Sequence, residues 1–115
     1  MDKNENMTAL MSAFARAYHT EHNEITMYSD PLAHRILGEE DYTAIARNIV
    51  GGIKFFEPNF SGTYDEALRA AVEKRLAPGV TARSFFAERA LRTEVSLRTK
   101  QYIILGAGLD TFAYR

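Results

Sequence analysis

Hydrophobic residues recur along most of the chain at the three- and four-residue spacings of amphipathic α-helices. The first such stretch runs from Thr8 to about His19, and Thr8 is the expected N-cap. Asp30 followed by Pro31 indicates the start of a second, short helix, because proline at the first helical position loses no hydrogen bond. Gly38 is expected to end that helix. Two helices are therefore predicted in the first third of the chain.

A longer helical pattern covers about Glu40 to Phe56, with apolar residues on one face. The pair Gly51-Gly52 lies inside it. Glycine is a poor helix former, so a kink or a break is predicted at this pair.

Two more helices are predicted before the pattern changes. Thr63 and Glu66 have the spacing of a capping box, and the helix that they open is expected to end near Leu76, before Pro78-Gly79. A further amphipathic stretch covers about residues 81–98. The first 98 residues are thus predicted to form a helical region.

The hydrophobic pattern then changes to a continuous apolar run. Residues 101–105, with the sequence QYIIL, are rich in β-formers, and Gly106-Ala107-Gly108 follows at once. A short run without polar positions is typical of a strand buried on both faces, as in a parallel sheet covered by helices. The predicted fold class is therefore α/β, although most of this chain is helical.

A glycine turn directly after a buried strand allows the main chain to approach a bound ligand closely. A dinucleotide-binding fingerprint requires glycine at the first, third and sixth places, and here these are Gly106, Gly108 and Thr111. The threonine and the long helical region before the strand argue against a nicotinamide dehydrogenase. The turn favours a methyltransferase, whose ligand has no pyrophosphate at this position; an ordinary structural turn is the alternative.

Longer motifs surround this turn. The segments ARSFFAERAL at 82–91 and QYIILGAGLDTFAYR at 101–115 resemble the leucine carboxyl methyltransferase-like family, as do the stretches at 11–17 and 29–33. The resemblance implies an S-adenosylmethionine-dependent O-methyltransferase that acts on a carboxylate or a hydroxyl. It also implies a Rossmann-like fold, in which residues 1–98 form a helical N-terminal cap region and residues 99–115 begin the cofactor-binding domain.

The resemblance also assigns candidate cofactor-binding residues. Arg83 would pair with the carboxylate of the methionine moiety, a role that suits a permanently charged guanidinium fork; a solvated helix arginine is the alternative. Gly106, Ala107 and Gly108 would line the methionine and ribose side of the pocket. Asp110 would either bond backbone amides of the turn or face the ammonium group of the cofactor. No catalytic residue is assigned.

The sequence also leads to interpretations of Arg16, Tyr28 and Asp30. Arg16 is placed at the pocket floor or entrance, but a position on the helix surface is favoured. Tyr28 and Asp30 are expected to be structural, the first in packing and the second as a cap.

Composition excludes several classes of protein. The 115 residues carry a net charge of −1, which argues against nucleic-acid binding driven by bulk charge. The chain has no cysteine, so disulfides and thiolate chemistry are excluded. The N-terminal sequence lacks a secretory pattern and no apolar run approaches membrane-spanning length, so a cytoplasmic protein without membrane contact is expected. His19, His22 and His34 do not form a metal-binding pattern.

The expected position of the strand has consequences for completeness. The acidic residue that would hold the cofactor ribose, about 20 residues after the turn, would fall beyond Arg115. The chain is therefore expected to be a truncated portion that binds the cofactor weakly when alone. Its unpaired strand is expected to allow self-association. A non-enzymatic helical interaction module, with a purely structural turn, is the rival hypothesis.

Overall fold

The computed structural model describes residues 6–24 and 26–115, and within these residues the regular structure is helical. The α-helices are α1 (Met7–His22), α2 (Ala33–Leu37), α3 (Glu39–Gly51), α4 (Ile53–Phe56), α5 (Tyr64–Ala71) and α6 (Ala77–Ser96). A π-helical turn, Val72–Leu76, joins α5 to α6, and a 3-10 turn, Phe112–Tyr114, lies near the end of the chain.

Helix α1 is the central element of the fold. It packs against α2, α3, the π-helical turn and α6, and the consecutive residues from Ala13 to Tyr18 are all buried. The helix begins at Met7, and Asn6 rather than Thr8 occupies the N-cap, so the predicted cap was wrong. The Asn6 carbonyl accepts the first helical bond, from the Leu10 amide at 3.0 Å, which places the start of the helix earlier than the apolar pattern does.

The hydrophobic core lies between α1 and the helices around it. Phe14 is fully buried, and its ring lies 4.7 Å from that of Tyr42 and 6.0 Å from that of Tyr18. The buried residues of this core are Ala13, Phe14, Tyr18, Leu37, Ile45, Ala46, Leu68, Val72 and Ala77. The core therefore draws on almost every helix, with Phe14 as its largest fully enclosed side chain.

Several local signals are confirmed. Gly38 has a φ of 86° and lies between α2 and α3, as expected for the residue that ends the short helix. The break predicted at the glycine pair separates α3 from α4 at Gly52. Thr63 caps α5, since its hydroxyl accepts from the Glu66 amide at 3.2 Å.

The helix end predicted near Leu76 was wrong. The π-helical turn carries the chain directly into α6, which begins at Ala77 rather than near Thr81. Pro78 lies in the first turn of α6, directly after the π-helical turn, in which the Ala77 amide donates to the Val72 carbonyl. The Pro78-Gly79 pair therefore lies within the first turn instead of breaking the helix.

The predicted strand at 101–105 is not present among the described residues. A strand requires a neighbour to accept and donate its backbone hydrogen bonds, and no other described segment provides one. The segment exposes apolar side chains instead, with Ile103 at 75% and Leu105 at 91% of full exposure. Pairing of this segment with a second copy of the chain stays a prediction.

Across the described residues, no helix has both the length and the apolar character that crossing a bilayer requires.

Candidate functional site

A cavity of about 560 Å³ lies between the N-terminal half of α1, the first turns of α6 and the segment 106–110, which we call the glycine loop. The structure brings all the predicted cofactor-binding residues to this one cavity, although Arg83 and the glycine loop are separated by more than twenty positions in sequence. The lining residues are Asn6, Thr8, Ala9, Ser12, Arg16, Val80, Arg83, Ser84, Gly106, Ala107, Gly108, Leu109 and Asp110.

Glycine is required in the glycine loop for two different reasons. Gly106 and Gly108 have φ values of 63° and 55°, in the left-handed region that glycine adopts without strain. A Cβ at Gly108 would lie 3.1 Å from the Cβ of Ala9, so the loop approaches α1 closely. A Cβ at Gly106 would meet nothing within 4 Å, so that part of the loop borders open space.

Asp110 stabilises the end of the glycine loop. Its amide donates to the Ala107 carbonyl at 3.1 Å, and its Oδ1 accepts from the Phe112 amide at 3.0 Å. The first interpretation of Asp110, as a residue that bonds the backbone of the turn, agrees with this geometry. Because Asp110 also lines the cavity, its second interpretation, as a partner for a ligand ammonium, stays a prediction.

Arg83 lies on α6 at the wall of the cavity and is exposed. Its Nε donates to the Gly79 carbonyl one helical turn earlier, at 3.3 Å. Within residues 6–24 and 26–115, no carboxylate lies within ion-pair distance of its guanidinium. A charged group of this kind can bind an anion that enters the cavity.

Arg16 is buried, with 7% of its surface exposed, so the favoured expectation of a helix-surface position was wrong. Its Nε donates to Asp30 Oδ2 at 3.0 Å, its Nη1 to the hydroxyl of Ser12 at 3.0 Å and its Nη2 to the carbonyl of Leu109 at 2.6 Å. The sequence contains one indication of this burial, because the neighbours of Arg16 in AFARAY are otherwise apolar or aromatic. Its partners, however, lie far away in the chain.

Asp30 is the acceptor at the centre of this network, and its side chain has no exposed surface. Besides Arg16, its Oδ2 accepts from the Thr111 hydroxyl at 2.6 Å and from the Tyr28 hydroxyl at 3.4 Å. Its Oδ1 accepts from the Leu32 amide at 3.2 Å. Asp30 is thus structural, as expected, but the N-cap of α2 is Leu32, so the predicted role of Asp30 as the cap of a helix starting at Pro31 was wrong. We call Arg16, Asp30 and Thr111 the buried polar cluster, since these are the buried polar residues of the described chain.

The periphery of this cluster reinforces it. Burial, together with the negative charge of Asp30, raises the pKa of Tyr28 to about 12, so its hydroxyl keeps the proton that it donates. Arg115 donates to the Thr111 hydroxyl at 2.9 Å and to the Ser29 carbonyl at 3.2 Å, and it pairs with Glu88. Arg115 is therefore attached to two other segments, α6 and the stretch around Ser29 and Asp30, where its Nε lies 3.6 Å from Asp30 Oδ1.

The comparisons with known proteins agree with this arrangement of motifs. The sequence matches the leucine carboxyl methyltransferase family over residues 9–115. The chain belongs to the leucine carboxyl methyltransferase family. It is 37% identical, over 120 aligned positions, to a Bacillus subtilis (strain 168) protein named "Putative S-adenosyl-L-methionine-dependent methyltransferase YktD".

The extent of the match differs between the two proteins. The alignment with YktD includes 100% of this chain but 40% of its relative, so the chain spans about two fifths of the length of that relative. No solved structure matches the chain significantly. The cavity thus lies in a segment that corresponds to part of this longer relative.

The histidines His19 and His34 of this chain take part in local side-chain networks. His19 contacts Glu73 at 3.1 Å and the hydroxyl of Thr26 at 2.8 Å, and His34 lies between Glu21 and Glu39. Across the described residues, no group of three or more potential metal ligands comes together.

The environment of His34 predicts a pH-dependent stability. Partial burial acts to lower the pKa of His34, but hydrogen bonds and negative charges from Glu21 and Glu39 outweigh it and raise the pKa above 6.5. A raised pKa in the folded state means that the stabilisation is complete below the unfolded pKa and is lost as pH rises through the folded pKa. Melting temperatures between about pH 5 and pH 8 should therefore decline more for the wild type than for His34→Gln. If the melting temperatures of the two proteins declined equally over this range, His34 would not contribute to the pH dependence of stability.

Proposed function

We propose that this protein is an S-adenosylmethionine-dependent O-methyltransferase and that the cavity holds the methionine and ribose portion of the cofactor. The observation that carries the proposal is that Arg83 and the glycine loop line the same cavity. Family membership and the name of YktD support the same cofactor and reaction class. The volume of about 560 Å³ lies within the range of small-molecule sites.

The charges along the cavity suit the zwitterionic tail of this cofactor. Arg83 would hold the carboxylate, because a guanidinium can donate two parallel hydrogen bonds to it. Arg16 does not compete for this role, since its charge is offset by Asp30 at 3.0 Å and its nitrogens have protein partners. Asp110 would face the ammonium group, for which its carboxylate has the complementary charge.

The glycine loop would supply the main-chain part of the site. Gly106 borders open space, and without a side chain its backbone can come within contact distance of the ribose. In this proposal residues 101–105 are the first strand of a Rossmann-like sheet. The exposure of Ile104 and Leu105, which would lie on opposite faces of that strand, supports this, because a central parallel strand buries both of its faces against other elements.

The reaction requires little chemistry from the protein side chains. When bound, S-adenosylmethionine supplies a methyl group on a sulfonium, and the carbon–sulfur bond breaks as an acceptor oxygen forms the new bond. The protein has to align donor and acceptor and to exclude water. A carboxylate acceptor is already ionised, whereas a hydroxyl acceptor requires a base to take its proton. We propose one of these two acceptors and assign no base.

Titration calorimetry of the full-length protein with S-adenosylmethionine tests the proposal. Arg83→Ala is expected to weaken binding by about 10- to 150-fold, the equivalent of losing about 1.5–3 kcal/mol from a charged hydrogen-bonding partner. Arg89→Ala is the matched control, because it removes the same charge from an exposed position of α6 outside the cavity. It should change the affinity less than about twofold, since surface substitutions away from a site have small effects.

A second ligand isolates the role of the carboxylate. 5′-Methylthioadenosine lacks the amino-acid tail, so its affinity should be the same for wild type and Arg83→Ala. Equal losses for both ligands would contradict the pairing between Arg83 and the carboxylate. If the wild-type protein bound neither ligand, the methyltransferase proposal would fail in favour of a non-enzymatic interaction module.

A further inference from the structure

We infer that Arg16 is a positioning residue, which fixes the glycine loop against helix α1 through the carbonyl of Leu109. The inference concerns the geometry of the loop, and its consequence for cofactor affinity rests on the proposed function. The three donor nitrogens of the Arg16 side chain point in different directions and each has a partner: Asp30, Ser12 and Leu109. Arg16 therefore acts on the loop rather than as a direct partner of a ligand.

The bond to Leu109 links two walls of the cavity. At 2.6 Å it is a short, charge-assisted hydrogen bond, and it joins residues 93 positions apart. The other hydrogen bonds of the glycine loop among the described residues stay within the loop or reach Phe112. The guanidinium of Arg16 is thus the polar connection between the loop and helix α1.

The rest of the buried polar cluster holds Arg16 in place. Asp30 fixes the Nε side of the guanidinium, and Thr111 donates to the same oxygen of Asp30. Ser12, one turn earlier on α1, accepts from Nη1. Because each of the three nitrogens has a partner, the planar group is held in the orientation in which Nη2 faces Leu109. A lysine keeps the charge but cannot reproduce this fork.

Arginine at this position also explains how a loop with two glycines can be ordered. Gly106 and Gly108 have more conformational freedom than any other residue type would have, and this freedom has to be removed if the loop is to be ordered before a ligand arrives. The close approach of Gly108 to Ala9 limits the loop on one side. The hydrogen bond from Arg16 limits the motion of the loop at Leu109, the residue after Gly108.

Backbone NMR relaxation without ligand tests the inference in the full-length protein. In the wild type, the amide order parameters of Gly108 and Leu109 should be near those of a rigid backbone, about 0.85. In Arg16→Lys they should fall below about 0.6 while those of α1 and α6 stay unchanged. Arg89→Lys is the matched control: it makes the same replacement at an exposed position of α6 outside the cavity, and it should leave the order parameters of the glycine loop unchanged.

The outcomes separate this inference from the proposed function. Unchanged order parameters in Arg16→Lys would overturn the inference whether or not the protein binds S-adenosylmethionine. If the wild type did not bind S-adenosylmethionine, the proposed function would be overturned. The order parameters would still decide whether Arg16 positions the glycine loop. If both hold, Arg16→Lys should weaken S-adenosylmethionine and 5′-methylthioadenosine alike, by about tenfold, because the loop contacts the shared ribose.

A gentler variant covers the case in which Arg16→Lys fails to fold. Ser12→Ala removes the acceptor of Nη1 from a partly exposed helical position, and alanine is favourable in a helix. The released guanidinium should then lower the order parameter of Leu109 relative to that of α1. No change at Leu109 in Ser12→Ala would overturn the inference as well.

Discussion

Replacing Asp30 with alanine is expected to lower the free energy of unfolding by about 3–5 kcal/mol. The carboxylate is fully enclosed and is the counter-charge of the buried Arg16 guanidinium at 3.0 Å. Its removal leaves that charge without compensation and takes the acceptor from the Thr111 hydroxyl. Urea denaturation followed by circular dichroism would measure the loss.

Two control variants define the cause of this loss. Asp41→Ala removes an exposed carboxylate from the first turn of α3, and it should cost no more than about 1 kcal/mol, as expected for a helix-dipole contribution. The double variant Arg16→Met/Asp30→Leu should recover much of the stability, since apolar residues of similar size remove both charges. A loss below about 1 kcal/mol for Asp30→Ala would mean that the pair behaves as a surface salt bridge.

Phe14→Ala is the second substitution for which a large effect is expected, about 3–5 kcal/mol. The ring is fully buried and contacts the rings of Tyr18 and Tyr42 in the centre of the core. Alanine would lose the burial of the ring and leave a cavity, because residues on several helices would have to move together to fill it. The free energy of unfolding from urea denaturation would report the change.

Phe86→Ala is the matched control for Phe14→Ala. Phe86 also lies on a long helix, α6, but 74% of its surface is exposed, so its removal should change stability by less than about 0.5 kcal/mol. Equal losses for the two variants would contradict the assignment of Phe14 to the core.

Features that depend on neighbouring residues were predictable from the sequence. The break at Gly51-Gly52, the cap at Thr63 and the end of α2 at Gly38 each depend on contacts within a few positions. The Pro78-Gly79 pair shows the limit of such rules. Proline in the first turn of a helix and proline just after a helix end give similar local sequence patterns. Here the π-helical turn leads directly into α6, so Pro78 lies in the first turn of a helix.

Features that depend on distant segments were not predictable in this way. The burial of Arg16 requires Asp30, 14 positions away, and Leu109, 93 positions away. The strand predicted at 101–105 required a pairing partner that the apolar pattern cannot supply. The association of Arg83 with the glycine loop came from resemblance to a family, because no local rule connects two segments so far apart.

The long-range bonds of the buried polar cluster also bear on the order in which the molecule assembles. The contacts within and between successive helices span short stretches of chain, whereas the bonds from Arg16 to Leu109 and from Asp30 to Thr111 close loops of 93 and 81 residues. Closing such loops costs more chain entropy and slows folding, so these contacts form after the local ones. We therefore expect the glycine loop to be completed last, on a helical scaffold that has already folded.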